Sequence, residues 1–266
     1  PLFDADTFLA SPLKDSHHFV RVIAGPKLLG WPTARDRLLS AGLSLKSLKW
    51  VGPETQEGIQ EEFNSIFARC PKLNGSVFLQ DDIAVRQQWA KEQVRKKKNM
   101  FTDRLPQGEK LMRLVLTPGQ LQRRDAYEKL RCENSGLDGT FFCDLDHWPH
   151  SPGPDYGPMF PCLLTHGVIL NLDDGRFATP AERCLSLGFH ALDCVSDRFK
   201  WPLADFVLRQ PDRIVKCQTG NCQSLPAIMA WQLYVFCNTI RREEPSPSRP
   251  LSAGSEEDAE EDDLLA

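Results

Sequence analysis

No run of about 18 consecutive apolar residues occurs in this 266-residue chain, so no segment reads as a membrane-spanning helix. The longest apolar stretch, Leu225 to Cys237, is too short and is interrupted by Gln232. No basic-then-apolar leader is present, and the first residue is Pro1 rather than Met. The expectation is a fragment or processed product without a signal peptide. No internal repeat is found. The nine cysteines are an odd number without regular spacing, which argues against a secreted disulfide scaffold and for reduced thiols in an intracellular protein.

What is present is ordinary globular composition. Hydrophobic residues make up 41% and charged residues 26%, which excludes a wholly disordered, collagen-like or coiled-coil chain. The net charge of −4 conceals an asymmetry. Residues 243–266 hold nine acidic side chains and one arginine, leaving a mildly basic body of net +4. A basic body is compatible with nucleic acid, and the Pro-, Ser- and acid-rich tail is expected to be disordered.

Along the body, His18-Phe19-Val20-Arg21-Val22-Ile23-Ala24 reads as a strand. Leu38-Leu39-Ser40-Ala41-Gly42-Leu43 could return as its hairpin partner, with Gly30-Trp31-Pro32 in the connection. Residues 54–67 have a helical period through Ile59, Phe63 and Ile66-Phe67. Residues 81–100 read as a second helix ending in Arg95-Lys96-Lys97-Lys98, a basic last turn that suits the helix dipole. Thr117 and Pro118 open a third helix, running to about Cys132. A turn at Asn134-Ser135-Gly136 and a short strand at 140–145 follow. Residues 147–158 are an irregular Pro- and Gly-rich loop, and 163–172 are strand-rich with a break at Gly167. Thr179-Pro180-Ala181-Glu182 forms a capping box for a helix with Cys184, Leu185 and Leu187 on its apolar face, stopped by Gly188. A final helix over about 225–241 is apolar around most of its girth and is expected to be buried.

Three short motifs carry the functional signal. They are Gly30-Trp31-Pro32-Thr33-Ala34-Arg35-Asp36-Arg37, then Arg176-Phe177-Ala178-Thr179-Pro180-Ala181-Glu182 continuing to Leu187-Gly188-Phe189, then Gln218-Thr219-Gly220-Asn221 before the apolar helix. Each alone is weak. In this order they resemble the C-terminal half of the C5-cytosine DNA methyltransferase family. There a Gly-x-Pro-Gln-x-Arg-x-Arg stretch precedes a variable target-recognition region. An Arg-x-Leu-Thr-x-x-Glu helix, a Gln-x-Gly-Asn turn and a closing helix follow. Thr33 stands where the family has Gln, and Ala178 where it has Leu. Phe160-Pro161-Cys162-Leu163-Leu164-Thr165-His166-Gly167 is similar to the family's Pro-Thr-Leu-Thr-x-x-Gly segment. The likeness spans roughly residues 18–242.

The resemblance implies an α/β fold: a partial Rossmann-like S-adenosylmethionine-dependent methyltransferase domain with an inserted target-recognition region. Residues 1–52 would supply the last strands of the sheet with the two-arginine motif. Residues 53–110 would be a helical, basic insertion, 111–175 the recognition region, 176–242 the closing helices and 243–266 the acidic tail. In such enzymes a cysteine thiolate adds to cytosine C6, and C5 then takes the methyl group from S-adenosylmethionine, after the base has been flipped from the duplex. An arginine at cytosine O2 stabilises the charge that develops. Arg37 would hold that place, with Arg35 beside it. Asn221 and Cys222 would approach the cofactor. Thr165, His166 and the basic residues Arg95, Lys96, Lys97 and Lys98 would face DNA, and the protein would be nuclear in a eukaryote.

The family's Phe-x-Gly-x-Gly cofactor loop, its Pro-Cys nucleophile loop and its Glu-Asn-Val segment are absent from the chain. Pro161-Cys162 lies after the two-arginine motif, in the recognition region, and is not expected to be the nucleophile. The chain alone is therefore expected to be inactive and to depend on a missing N-terminal half. Two alternatives remain at this stage. One is a catalytically inactive nucleic-acid-binding or regulatory module, and the other a relative acting on RNA cytosines. The coding sequence upstream of Pro1 separates the enzyme from the module. Cys143, Asp144, Asp146, His147, His150 and His166 are metal-capable, but their spacing fits no zinc signature, and no metal is expected.

Overall fold

The computed structural model describes residues 11–79, 83–98, 104–133, 140–151, 156–191 and 200–242. The acidic tail, the Asn134-Ser135-Gly136 turn, part of the 147–158 loop and both ends of the expected 81–100 helix lie outside the described residues. After a single helical turn, α1 (Ser11–Leu13), the alternating run forms β1 (His17–Ala24). It pairs antiparallel with β2 (Arg37–Ser44), Val20 facing Ala41 and Val22 facing Leu39. The alternation places Val20, Val22, Leu39 and Leu43 in the interior, as a period of two requires. The connection carries the Gly30-Trp31-Pro32 segment.

Strand β3 (Leu48–Trp50) leads to α2 (Gln56–Phe67), whose N-terminus is capped by the Thr55 hydroxyl accepting from Gly58 N. Ile59 and Phe63 on α2 are fully buried against the hairpin. The other wall of this core is the helix Leu225–Cys237.

A second core gathers α3 (Ile83–Lys98), α4 (Glu109–Val115) and α5 (Pro118–Glu133) over a three-stranded sheet. Its strands are β4 (Phe142–Asp144), β5 (Ile169–Asn171) and β6 (Arg176–Phe177), in the order β4-β5-β6. Tyr127, Phe141 and Leu170 are among its most buried side chains. A third apolar cluster joins Phe78, Phe142, Phe160, Leu163, Leu185 and Leu187 between these two bodies.

The chain then runs through α6 (Pro180–Ser186), α7 (Ala204–Leu208), α8 (Asp212–Asn221) and α9 (Leu225–Cys237), and ends in β7 (Thr239–Arg241), which pairs antiparallel with β3. Thr179 and Glu182 form the expected capping box, and Gly188, at φ 89°, ends the helix region in a left-handed conformation, which glycine adopts without steric cost.

Three expectations change. All three sheets are small and antiparallel, and the described strands do not assemble a parallel Rossmann-like sheet. Gln218-Thr219-Gly220-Asn221 is not a turn before a helix but the last turn of α8. Finally, α9 is shorter than expected and buried on one side only. Ala227, Trp231, Tyr234 and Val235 face the core, whereas Met229, Leu233 and Phe236 are exposed.

Candidate functional site

The three motifs meet at one place, where Arg35 of the first bonds Gly220 of the third across 185 positions of chain. Phe160 N donates to Pro32 O at 2.9 Å and Ala34 N to Phe160 O at 3.3 Å, so the first motif lies along the Phe160-Pro161-Cys162 segment. Trp31 Nε1 donates to Ser186 O at 2.9 Å, tying the same motif to the end of α6. Leu225 N donates to Leu187 O at 2.8 Å, tying the second motif to the start of α9.

Two buried arginines lock this junction. The Arg35 guanidinium donates to Leu163 O at 2.7 Å, Gly220 O at 2.7 Å and Cys222 O at 2.5 Å. One side chain thus bridges the first motif, the recognition-like segment and the third motif. Burial lowers the Arg35 pKa, because a low-dielectric surrounding disfavours the charged form. Arg183, on α6, is 1% exposed. It donates to Leu164 O at 2.9 Å, Gly167 O at 3.0 Å and Thr219 Oγ1 at 3.4 Å. Burial pushes its pKa down to about 10, still well above neutrality. Charge-assisted bonds to several carbonyls are the usual compensation for such burial.

The second motif has its own internal reason. Arg176 and Glu182 form a buried ion pair, and Glu182 also accepts from Thr179 N at 2.8 Å. The glycine of the third motif is equally specific. A Cβ at Gly220 would overlap the backbone of Leu164 and Thr165. Glycine is needed there for close backbone approach.

Arg37 behaves differently from Arg35. It is exposed, donates to Asp36 O at 2.8 Å, and lies 4.0 Å from Cys162 Sγ. Residues two apart in a regular strand share a side, but Arg35 precedes β2 and its guanidinium is held by three carbonyls, whereas Arg37 opens the strand and is presented outward beside the half-buried Cys162. Asn221 is exposed, with Nδ2 3.6 Å from Cys217 Sγ. The Cys222 carbonyl is engaged by Arg35, and burial raises the Cys222 thiol pKa.

The candidate nucleic-acid residues are not brought into one contact group. Thr165 and His166 share a hydrogen bond of 3.0 Å between Oγ1 and Nδ1 on the loop that packs against Gly220. Arg95, Lys96 and Lys98 are exposed at the end of α3, with Lys96 4.0 Å from Glu92. Lys97 extends its ammonium group to Gln120 Oε1 at 3.3 Å. Partial burial, then nearby Lys216, lowers its pKa. Among the described residues no hydrogen bond or ion pair joins this cluster to Thr165 or His166. Asp144 is buried, its Oδ1 accepting from Asp146 N and Val168 N, both at 3.0 Å. Among the described residues no three metal-capable side chains converge.

Sequence reasoning overlooked Arg183 and gave Thr219, inside the third motif, no role of its own. Arg183 follows Glu182 on a short helix and reads as a solvated charge, because nothing local shows that α6 is buried on all sides. Thr219 did carry a signal: Asp212, Val215 and Thr219 recur at helical spacing and all three are buried.

No protein-family model matches the chain, and no curated protein matches it. Among the described residues no helix is long and apolar enough to cross a membrane.

Proposed function

We propose that this chain is the C-terminal part of a DNA (cytosine-5) methyltransferase-like protein. It would act only together with an N-terminal half that supplies the nucleophilic cysteine and most of the S-adenosylmethionine site. The observation that carries this reading is Arg35. Its guanidinium draws the Gly-x-Pro-x-x-Arg-x-Arg segment, the 160–167 segment and the Gln-x-Gly-Asn segment to one point. Motifs that belonged to unrelated turns would have no reason to converge. The outward position of Arg37 suits a residue that meets a flipped cytosine at O2, where hydrogen-bond donors stabilise developing charge.

The exposed apolar side of α9 gives further support. Met229, Leu233 and Phe236 lie in water at 59%, 54% and 73% exposure. Leu38 of β2 is also exposed, and β2 and α9 line a common groove. A surface of this kind suits cover by another part of the same assembly.

The chain incubated with labelled S-adenosylmethionine and cytosine-containing duplex DNA is expected to incorporate nothing above background. Robust transfer that disappears in Cys162→Ala would overturn the reading and make Cys162 the nucleophile. Supplied with the polypeptide encoded upstream of Pro1, the chain is expected to support transfer that Arg37→Ala lowers by about 100-fold, the usual cost of removing one such donor. An upstream polypeptide without a Pro-Cys loop would favour the binding-module alternative. Transfer to transfer RNA in preference to DNA would favour the RNA-directed one.

A further inference from the structure

A second cavity, away from the motif junction, lies between α3, α4 and the turn joining β5 to β6. Its volume is about 520 Å³, within the range of small-molecule sites. Its lining is mixed, apolar and basic. Ala90, Leu105, Leu111 and Phe177 present an apolar surface. It is backed by the Trp89 ring, 5.3 Å from Phe177. Trp89 Nε1 donates to Asp212 Oδ1 at 3.2 Å, which fixes that ring in place. Arg86, Lys91 and Arg104 also line the cavity. Arg176 also reaches the cavity, but its charge is balanced by the buried Glu182. Asp174 is the carboxylate among the described lining residues.

We propose that this cavity binds a phosphate-bearing ligand of mononucleotide size. Arg86 is the key observation. Its Nε is buried and makes no hydrogen bond among the described residues, and a buried donor left unpaired is costly unless a partner arrives. Arginine meets phosphate with a planar fork, and lysine adds a point charge one and a half turns further along α3. A dianionic phosphate matches the charge of the two cations in the lining, as a single carboxylate would not. The flat, rigid apolar wall suits an aromatic base, and Asp174 offers an acceptor for an exocyclic amino group. A phospholipid would need a long apolar channel that a cavity of this size does not supply.

The test uses the full chain and adenosine monophosphate, adenosine and inorganic phosphate, titrated by calorimetry. Adenosine monophosphate is expected to bind at least roughly tenfold more tightly than either fragment, since the apolar and the basic lining are both needed. Arg86→Gln and Lys91→Gln are each expected to weaken it by about tenfold. Leu111→Trp, which fills the cavity, is expected to abolish binding. Thermal melting of each variant identifies any that fails to fold. Equal affinity for adenosine and adenosine monophosphate would overturn the proposal, as would binding unchanged in well-folded Arg86→Gln and Leu111→Trp proteins. So would the absence of binding at about 5 mM, a concentration that detects even weak sites. A single-stranded oligonucleotide that displaces the nucleotide would identify the source as a nucleic-acid strand. Failure to displace it would identify a free nucleotide.

Discussion

Arg35 and Arg37 stand two positions apart and do opposite things. Replacing Arg35 with Ala leaves the carbonyls of Leu163, Gly220 and Cys222 without their donor. Each lost charge-assisted bond and each buried unpaired acceptor adds to the cost. Arg35→Ala is therefore expected to lower unfolding stability by about 3 kcal/mol or more, read by urea denaturation. Arg37→Ala is expected to stay within about 0.5 kcal/mol of the parent, because the side chain is exposed. Equal losses in the two variants would contradict the assignment of Arg35 to the fold and Arg37 to the surface. Asp144 offers a test through pH. It is 1% exposed. Burial raises its pKa above the ordinary 3.8, outweighing the Asp146 backbone N–H that it accepts from, which lowers it, while the Asp146 carboxylate adds to the rise and His147 and Arg183 oppose it. The folded state thus binds this proton more readily than the unfolded state, so its contribution to stability falls as pH rises through the interval just above 3.8. Asp144→Asn stays neutral throughout. The stability of Asp144→Asn relative to the parent is expected to rise across that interval and level off above it. Parallel stability curves from urea titrations would show that the carboxyl is not perturbed.

At the scale of the element, α9 tests which apolar residues form a core. Trp231 packs against Phe63 and Tyr234 and is 6% exposed. Trp231→Ala is expected to cost about 3–5 kcal/mol, as large core truncations do. Met229→Ser, Leu233→Ser and Phe236→Ser are each expected to change stability by less than about 0.5 kcal/mol, while the triple variant elutes later and more sharply in gel filtration if this face causes self-association. Loss of folding in the triple variant would mean that the face is buried after all. The same helix shows where sequence reading stops. Alternation in β1 and β2 fixes which side is inward, because a shift of one residue would expose Val20 and Val22. The caps at Thr117 and Thr179 are local hydrogen bonds and were legible for that reason. A helix that is apolar all round carries no periodicity, so nothing in 225–237 distinguishes its covered side from its bare one. The last turn of α8 misled for a related reason. Gly-Asn normally signals a turn, but Gly220 is present because Leu164 and Thr165 pass beside it, a tertiary fact. The convergence on Arg35 was likewise invisible, since its three acceptors are backbone groups far away in the chain.

On the scale of the whole molecule, charge is divided between a body of net +4 and a tail, residues 243–266, of net −8. Phosphate contacts by Lys and Arg release counterions, so any binding of nucleic acid by the body falls steeply as salt rises. Arg95, Lys96, Lys97 and Lys98 are all exposed in the densest basic cluster of the body, and with Lys97 held to Gln120 the other three are the residues expected to lead such contacts. A tethered acidic segment competes for the same surface at high effective concentration, and both effects are screened over about 8–10 Å near physiological salt. Deleting residues 243–266 is therefore expected to tighten duplex DNA binding at low salt, by fluorescence anisotropy, with the gap closing as salt increases. Replacing Arg95, Lys96 and Lys98 with Gln in the truncated chain is expected to weaken binding and flatten its salt dependence by about three phosphate contacts. If truncation leaves affinity unchanged at both salt concentrations, the tail does not compete for the basic surface. If neither form binds at low salt, the body does not recognise nucleic acid by charge, and the cluster at the end of α3 is a solvated helix end stabilised by the helix dipole.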